Sequence, residues 1–179
     1  VDPIINRVKE LAAEVVPGKN LGALISPKAK ERILGYINKA EADGLPIILD
    51  GRGASVAAAP GGDYLAPTII DRATPEHPVS CDEIFGPVLT IIRVKSLDEA
   101  MKIERDNPYG NAAAIYTSNG GTAEFFANNA HAGMIGVNVG VPVPREPFGF
   151  GGYYASRFGD GDITGEQAID FWTTTRKIT

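Results

Sequence analysis

Short β-branched or apolar runs alternate with amphipathic runs between residues 45 and 139, and this alternation restricts the fold more than any other feature. Pro46-Ile47-Ile48-Leu49-Asp50 reads as a buried strand. Tyr64 to Ile70 reads as another, with Pro67 suiting an edge or a bend. Val88-Leu89-Thr90-Ile91-Ile92-Arg93-Val94 is the clearest: it is almost wholly apolar, as parallel strands covered on both faces tend to be. Ala112 to Tyr116 and Gly133 to Val139 add two more. Between them, Ser96 and Glu99 stand three apart, the spacing of a capping box, and predict a helix running to about Arg105. Asn107-Pro108-Tyr109-Gly110 ends it. Asn119-Gly120-Gly121-Thr122 turns into a second helix with Ala123, Phe126, Ala127 and Ala130 on one face. Strands and helices in this order predict an α/β fold, a mostly parallel sheet flanked by helices.

Two helices are expected ahead of the sheet. Ile4, Ile5, Val8, Leu11, Ala12 and Val15 recur at helical spacing until Pro17-Gly18. Ser26-Pro27 is a helix start, because Ser accepts from an orphan backbone N–H and Pro lacks the N–H that would be orphaned. Ala29, Ile33, Ile37 and Ala40 give that helix an apolar stripe, and Gly44 stops it. Residues 51–63, rich in Gly and Ala, read as an exposed loop or hairpin. A Pro- and Gly-rich loop spans 140–152, and Ala168 to Thr179 reads as a Thr-rich β-strand arm. No internal repeat, low-complexity tract or linker interrupts the chain.

A chain of 179 residues fits one domain and can bury most of its apolar surface. Its net charge of −5 argues against a nucleic-acid partner, which calls for a basic stripe. No apolar run reaches membrane-spanning length. A single Cys excludes an internal disulfide and a Cys-rich zinc site. The start, Val1-Asp2-Pro3, is no signal peptide, and the expected compartment is reducing: the cytoplasm, or an organelle matrix. His77 and His131 stand far apart with no His or Cys at ligand spacing, so no metal site is expected. His77 reads as a surface loop residue and His131 as the end of a helix, where an imidazole is mildly favourable.

The candidate chemistry gathers in Cys81-Asp82-Glu83-Ile84-Phe85-Gly86-Pro87-Val88. Cys81 invites a catalytic role, but a thiolate is stabilised by cations and not by the neighbouring carboxylates of Asp82 and Glu83. It reads as a small packed residue, and no catalytic residue is assigned. Glu83 precedes a strand beside a Gly-Pro break, where a carboxylate can accept two hydrogen bonds, for instance from a ribose diol. Phe85 offers a flat apolar face to a ring. The plainer alternative is an exposed turn acid beside a core Phe. Phe148 and Phe150 either line a ligand tunnel or anchor their loop. Gly18-Lys19 and Gly120-Gly121-Thr122 lack P-loop spacing, and no Gly-x-Gly-x-x-Gly fingerprint occurs.

Glu83-Ile84-Phe85-Gly86-Pro87 resembles the signature motif of the aldehyde dehydrogenase superfamily. Leu21 to Ser26, Ala66 to Ile69, Asn107 to Gly110, Gly136-Val137-Asn138 and Phe150-Gly151-Gly152 fall in the same order as in that family, so the resemblance covers the whole chain. Ala29 to Arg32, Leu49 to Arg52, Val141 to Pro144 and Ser156 to Asp160 are similar to the CoA-acylating methylmalonate-semialdehyde dehydrogenase branch. Gly140-Val141, Tyr154 and Asp160 to Gly165 depart from that branch and leave the substrate open.

By that resemblance, Glu83 matches the acid that binds the nicotinamide ribose hydroxyls, and Phe85 the aromatic beside the nicotinamide. Phe150 matches a residue of the substrate tunnel. Residues 1–165 correspond to the C-terminal portion of the catalytic domain, and 166–179 to an arm that pairs across subunits of a homo-oligomer. The family's nucleophilic Cys, general-base Glu, oxyanion Asn and NAD domain would lie upstream, in a missing N-terminal half. The expected parent is therefore an NAD-dependent enzyme oxidising a small aldehyde, methylmalonate or malonate semialdehyde, with CoA as candidate co-substrate. The chain alone would be inactive. A non-acylating aldehyde dehydrogenase is one alternative. A non-catalytic module that binds a partner through an exposed strand in the arm is another.

Overall fold

The computed structural model describes residues 2–159 and 161–178. Val1, Asp160 and Thr179, which the sequence reading placed at the start, in the branch motif and at the arm's end, lie outside the described residues. The chain forms two compact units, Val1–Arg93 and Val94–Thr179.

The first unit contains α1 (Asp2–Ala13), α2 (Pro27–Ala42), β1 (Ile47–Leu49), β2 (Thr68–Ile70), α3 (Pro78–Cys81) and β3 (Val88–Thr90). Helix α2 starts where the sequence places it, with the Ser26 Oγ accepting from the Ala29 N–H at 3.2 Å. It ends through Gly44, whose φ of +84° suits a residue without Cβ. Ile33, Ile37 and Ala40 are fully buried and pack with Leu65, Ile70, Val79 and Ile84. The sheet order is β1-β2-β3, with β1 antiparallel and β3 parallel to β2. Residues 51–63 form a loop without strands, closed against β2. Gly51 donates to the Thr68 Oγ1 at 3.0 Å, and a Cβ there would lie 1.9 Å from the Ala66 carbonyl oxygen.

The regular part of β3 is shorter than the apolar run 88–94, and Leu89 is exposed. The Ile91 N–H still donates to the Ile70 carbonyl at 2.8 Å, and the Ile91 carbonyl accepts from Ala73 at 3.1 Å. β1 is half-buried and not fully covered. A continuous apolar run marks a strand suited to cover on both faces, and within this unit one face of β3 is left open.

The second unit contains α4 (Leu97–Asp106), β4 (Tyr109–Gly110), β5 (Ala112–Ile115), α5 (Gly120–Asn129), β6 (Met134–Val137), β7 (Tyr153–Tyr154) and α6 (Gln167–Trp172). β5 and β6 pair in parallel from Ala112–Met134 to Ile115–Val137, and β4 pairs antiparallel with β7. Ser96 caps α4 by accepting from Glu99 at 3.2 Å. The Glu99 carboxylate accepts from the Lys95 N–H at 2.8 Å, one residue further back than a standard capping box. Asn119 caps α5 through the Thr122 N–H, and Phe126 on the expected face is buried.

The expected β arm is corrected. Gln167–Trp172 is helical, and 173–178 have no regular structure. A strand must hand its N–H and C=O groups to a neighbouring strand. The described chain offers this segment none, so a local helix satisfies part of the backbone instead. The exposed strand edge required by the partner-binding alternative is thus absent among the described residues of the arm. No helix among the described residues is long and apolar enough to cross a membrane.

Candidate functional site

Residues 77–86 run along α2 in the opposite direction to the helix. His77 opens α3, its Nδ1 accepting from the Val79 N–H at 3.2 Å and its Nε2 lying 3.0 Å from the Asp43 Oδ2. With Nδ1 as acceptor, Nε2 carries the proton and donates to Asp43. His77 is therefore a largely buried cap and not the surface loop residue expected; a polar residue directly before Pro at the first helical position was the available signal. Cys81 is half-buried, and its thiol donates to the Pro75 carbonyl at 2.9 Å. This is the setting of a packed thiol.

Beyond α3 the side chains alternate. The Asp82 carboxylate accepts from the Tyr36 hydroxyl at 2.8 Å. Glu83 is exposed. Ile84 is buried in the core cluster, and its carbonyl accepts from the Arg32 Nη2 at 2.6 Å. Phe85 is 75% exposed. Gly86 packs so tightly on Ile33 that a Cβ would lie 2.6 Å from its Cδ1. Glu83 and Phe85 thus stand outward on either side of a buried Ile, so within this unit Phe85 is not a core residue.

Phe85 also has φ +52°, the left-handed region, where a bulky aromatic costs about 1–3 kcal/mol. Leaving a phenyl ring in water forgoes roughly 1.5–3 kcal/mol of burial. Neither cost serves the folding of this unit. Strain and exposure thus coincide on one aromatic, next to an exposed carboxylate.

Electrostatics around the turn follow the same contacts. The hydrogen bond to Asp82, assisted by burial and by the carboxylate charge, raises the Tyr36 phenol above its ordinary value. Lys39, and after it His77, hold the Asp43 carboxyl below the usual range. Sequence reading missed Arg32 and Tyr36. They are one turn apart on α2, but their partners lie 52 and 46 residues downstream, and no local pattern encodes that.

Phe150 belongs to the second unit, in the loop after β6. It is 46% exposed, and its N–H donates to the Thr164 Oγ1 at 3.1 Å. Phe148 is exposed too. The loop is held by backbone bonds such as Glu166 N–H to the Pro147 carbonyl at 3.0 Å. A mostly apolar cavity of about 470 Å³ lies along β6 and this loop, lined by Met134, Val137, Pro142 and Val143, and by Gly149 and Gly151 on either side of Phe150. His131 lies beyond the end of α5, and its Nδ1 is 3.1 Å from the Tyr154 hydroxyl.

The chain belongs to the aldehyde dehydrogenase family, whose sequence profile matches residues 1–178. Within that family it is similar to enzymes of semialdehyde oxidation. The acylating, mitochondrial methylmalonate-semialdehyde/malonate-semialdehyde dehydrogenase of Mus musculus is 43% identical over 178 residues, 98% of this chain and 33% of its own length. The malonate-semialdehyde dehydrogenase of Pseudomonas aeruginosa is 41% identical over 162 residues, 90% of this chain and 33% of its own. The crystal structure of methylmalonate-semialdehyde dehydrogenase from Oceanimonas doudoroffii superposes with a TM-score of 0.92 at 35% identity, over 97% of this chain and 37% of that one. A Sinorhizobium meliloti structure of similar description, complexed with NAD, gives 0.93 at 32% identity, over 98% and 37%. The chain spans about a third of the length of the curated relatives it matches.

Proposed function

We propose that these residues form one wall of the nicotinamide site of an NAD-dependent aldehyde dehydrogenase that oxidises methylmalonate or malonate semialdehyde to an acyl-CoA. The observation that carries the site is Phe85, exposed and strained beside the exposed Glu83. The two fit the cofactor: a free carboxylate accepts from a ribose diol, and an outward ring face lies against an aromatic ring. When bound, NAD supplies the hydride acceptor. Glu83 would hold the ribose and Phe85 would orient the ring and exclude water from it. Phe150 would line the substrate tunnel of the same enzyme.

The substrate follows from the relatives' names and their identities of 41–43%. CoA as acyl acceptor is supported by the resemblance to the CoA-acylating branch and by the acylating description of the mouse enzyme. Cys81, the one Cys of the chain, is engaged with a backbone carbonyl. The nucleophile must come from outside these 179 residues, and the chain alone should not turn over. Residues 1–165 would serve as catalytic-domain scaffold, and 166–179 would meet a second copy in a homo-oligomer. A lone reduced Cys suits the cytoplasm as its place of action.

The test is Glu83→Gln in the enzyme that carries this chain. Losing charge-assisted hydrogen bonds worth about 1.5–3 kcal/mol should raise the KM for NAD roughly tenfold to a hundredfold. An unchanged KM for NAD would make Glu83 an ordinary turn acid. An upstream reading frame containing a Gly-Gln-x-Cys segment would supply the nucleophile that the proposal requires, and a frame without one would remove it.

A further inference from the structure

The turn that carries Glu83 and Phe85 is held from outside itself, by one face of α2. Residues of α2 and of its C-cap meet residues 77–86 in broadly reversed order. Asp43 meets His77, Tyr36 meets Asp82, Arg32 meets the Ile84 carbonyl, and Ile33 meets Gly86. The helix is itself immobilised by Ile33, Ile37 and Ala40, all fully buried. A left-handed Phe persists only where its surroundings over-determine it, and here both of its neighbours are pinned to the same helix.

Asp82 and Glu83 are adjacent carboxylates, and either could accept from a ligand. The Tyr36 hydroxyl donates to the Asp82 Oδ2 at 2.8 Å and ties the first to α2, while Glu83 stands exposed beside it. We propose that Tyr36 and Asp82 are a positioning pair, which ties the turn to α2 at the residue before Glu83 and so fixes how Glu83 presents to the nicotinamide ribose. The proposal rests on Glu83 and Phe85 facing NAD.

The experiment is a double-mutant cycle in the enzyme that carries this chain, with KM for NAD, KM for the aldehyde and the melting temperature read for each variant. Tyr36→Phe should raise the KM for NAD about three- to tenfold while the KM for the aldehyde and the melting temperature stay within error. Asp82→Ala should do the same, and the double variant should be no worse than either single one. Asp82→Asn keeps an acceptor for the hydroxyl and should restore most of the affinity. An unchanged KM for NAD in Tyr36→Phe overturns the pair. So does a parallel rise in both KM values with a fall in melting temperature, the mark of a merely structural bond. Glu83→Gln run alongside separates the two levels. If it raises the KM for NAD and Tyr36→Phe does not, only the pair fails. If Glu83→Gln has no effect, the nicotinamide site and the pair fail together.

Discussion

Phe85 and Cys81 sit four residues apart and invite opposite mistakes. Cys81 has the reactive atom and an inert setting: its thiol is half-buried and donates to the Pro75 carbonyl. Phe85 has no reactive atom and bears the strain. Cys81→Ser should leave turnover of the enzyme within about twofold, because a hydroxyl can make the same bond and surface-proximal exchanges of this kind usually change stability little. Steady-state kinetics check this, and loss of most activity would restore Cys81 as a catalytic candidate. The motif around Glu83 and Phe85 was readable in the sequence through its resemblance to a family. The reason for it was not, because backbone strain and exposure are properties of the folded turn.

At the scale of elements, the parts decided by near neighbours were the readable ones. Ser26, Ser96 and Asn119 each cap a helix through an N–H three residues on, and the sequence placed all three starts. The stripe of α2 was readable for the same reason, since residues four apart share a face. Ile37 is fully buried in the cluster with Leu65, Ile70 and Val79. Ile37→Ala should cost about 2–5 kcal/mol, read as a lower urea midpoint for the first unit. The loss should also reach the turn, since α2 holds it. Strand extents were less readable. A strand's length is set by its partner, so β3 stops at Thr90 within a longer apolar run, and the arm, for want of a neighbour, is helical only over Gln167–Trp172.

At the scale of the whole molecule, five carboxyl groups among the described residues, those of Glu41, Asp43, Asp50, Asp71 and Asp106, are held below their ordinary values by basic partners. Most are exposed pairs that salt will screen. Asp71 differs: it is buried, and Arg93 grips both of its oxygens at 3.0 and 2.6 Å. Its folded form titrates lower than the unfolded chain, whose ordinary value is 3.8. The unfolded chain then binds more protons in that window, so stability is full above about pH 4 and falls as pH drops through the depressed value. Urea midpoints should be flat from pH 7 to 5 and decline below about pH 4, and Asp71→Asn should flatten that decline. The sequence by itself determined the α/β class, the helix starts, the family and the position of Glu83 and Phe85. These rest on local spacing and on a contiguous motif. Only the tertiary structure decided that α2 grips the turn, that His77 is a cap and that the arm is not a strand. Those depend on groups 34 to 52 residues apart, or on partners the segment does not find, and only folding brings such groups together.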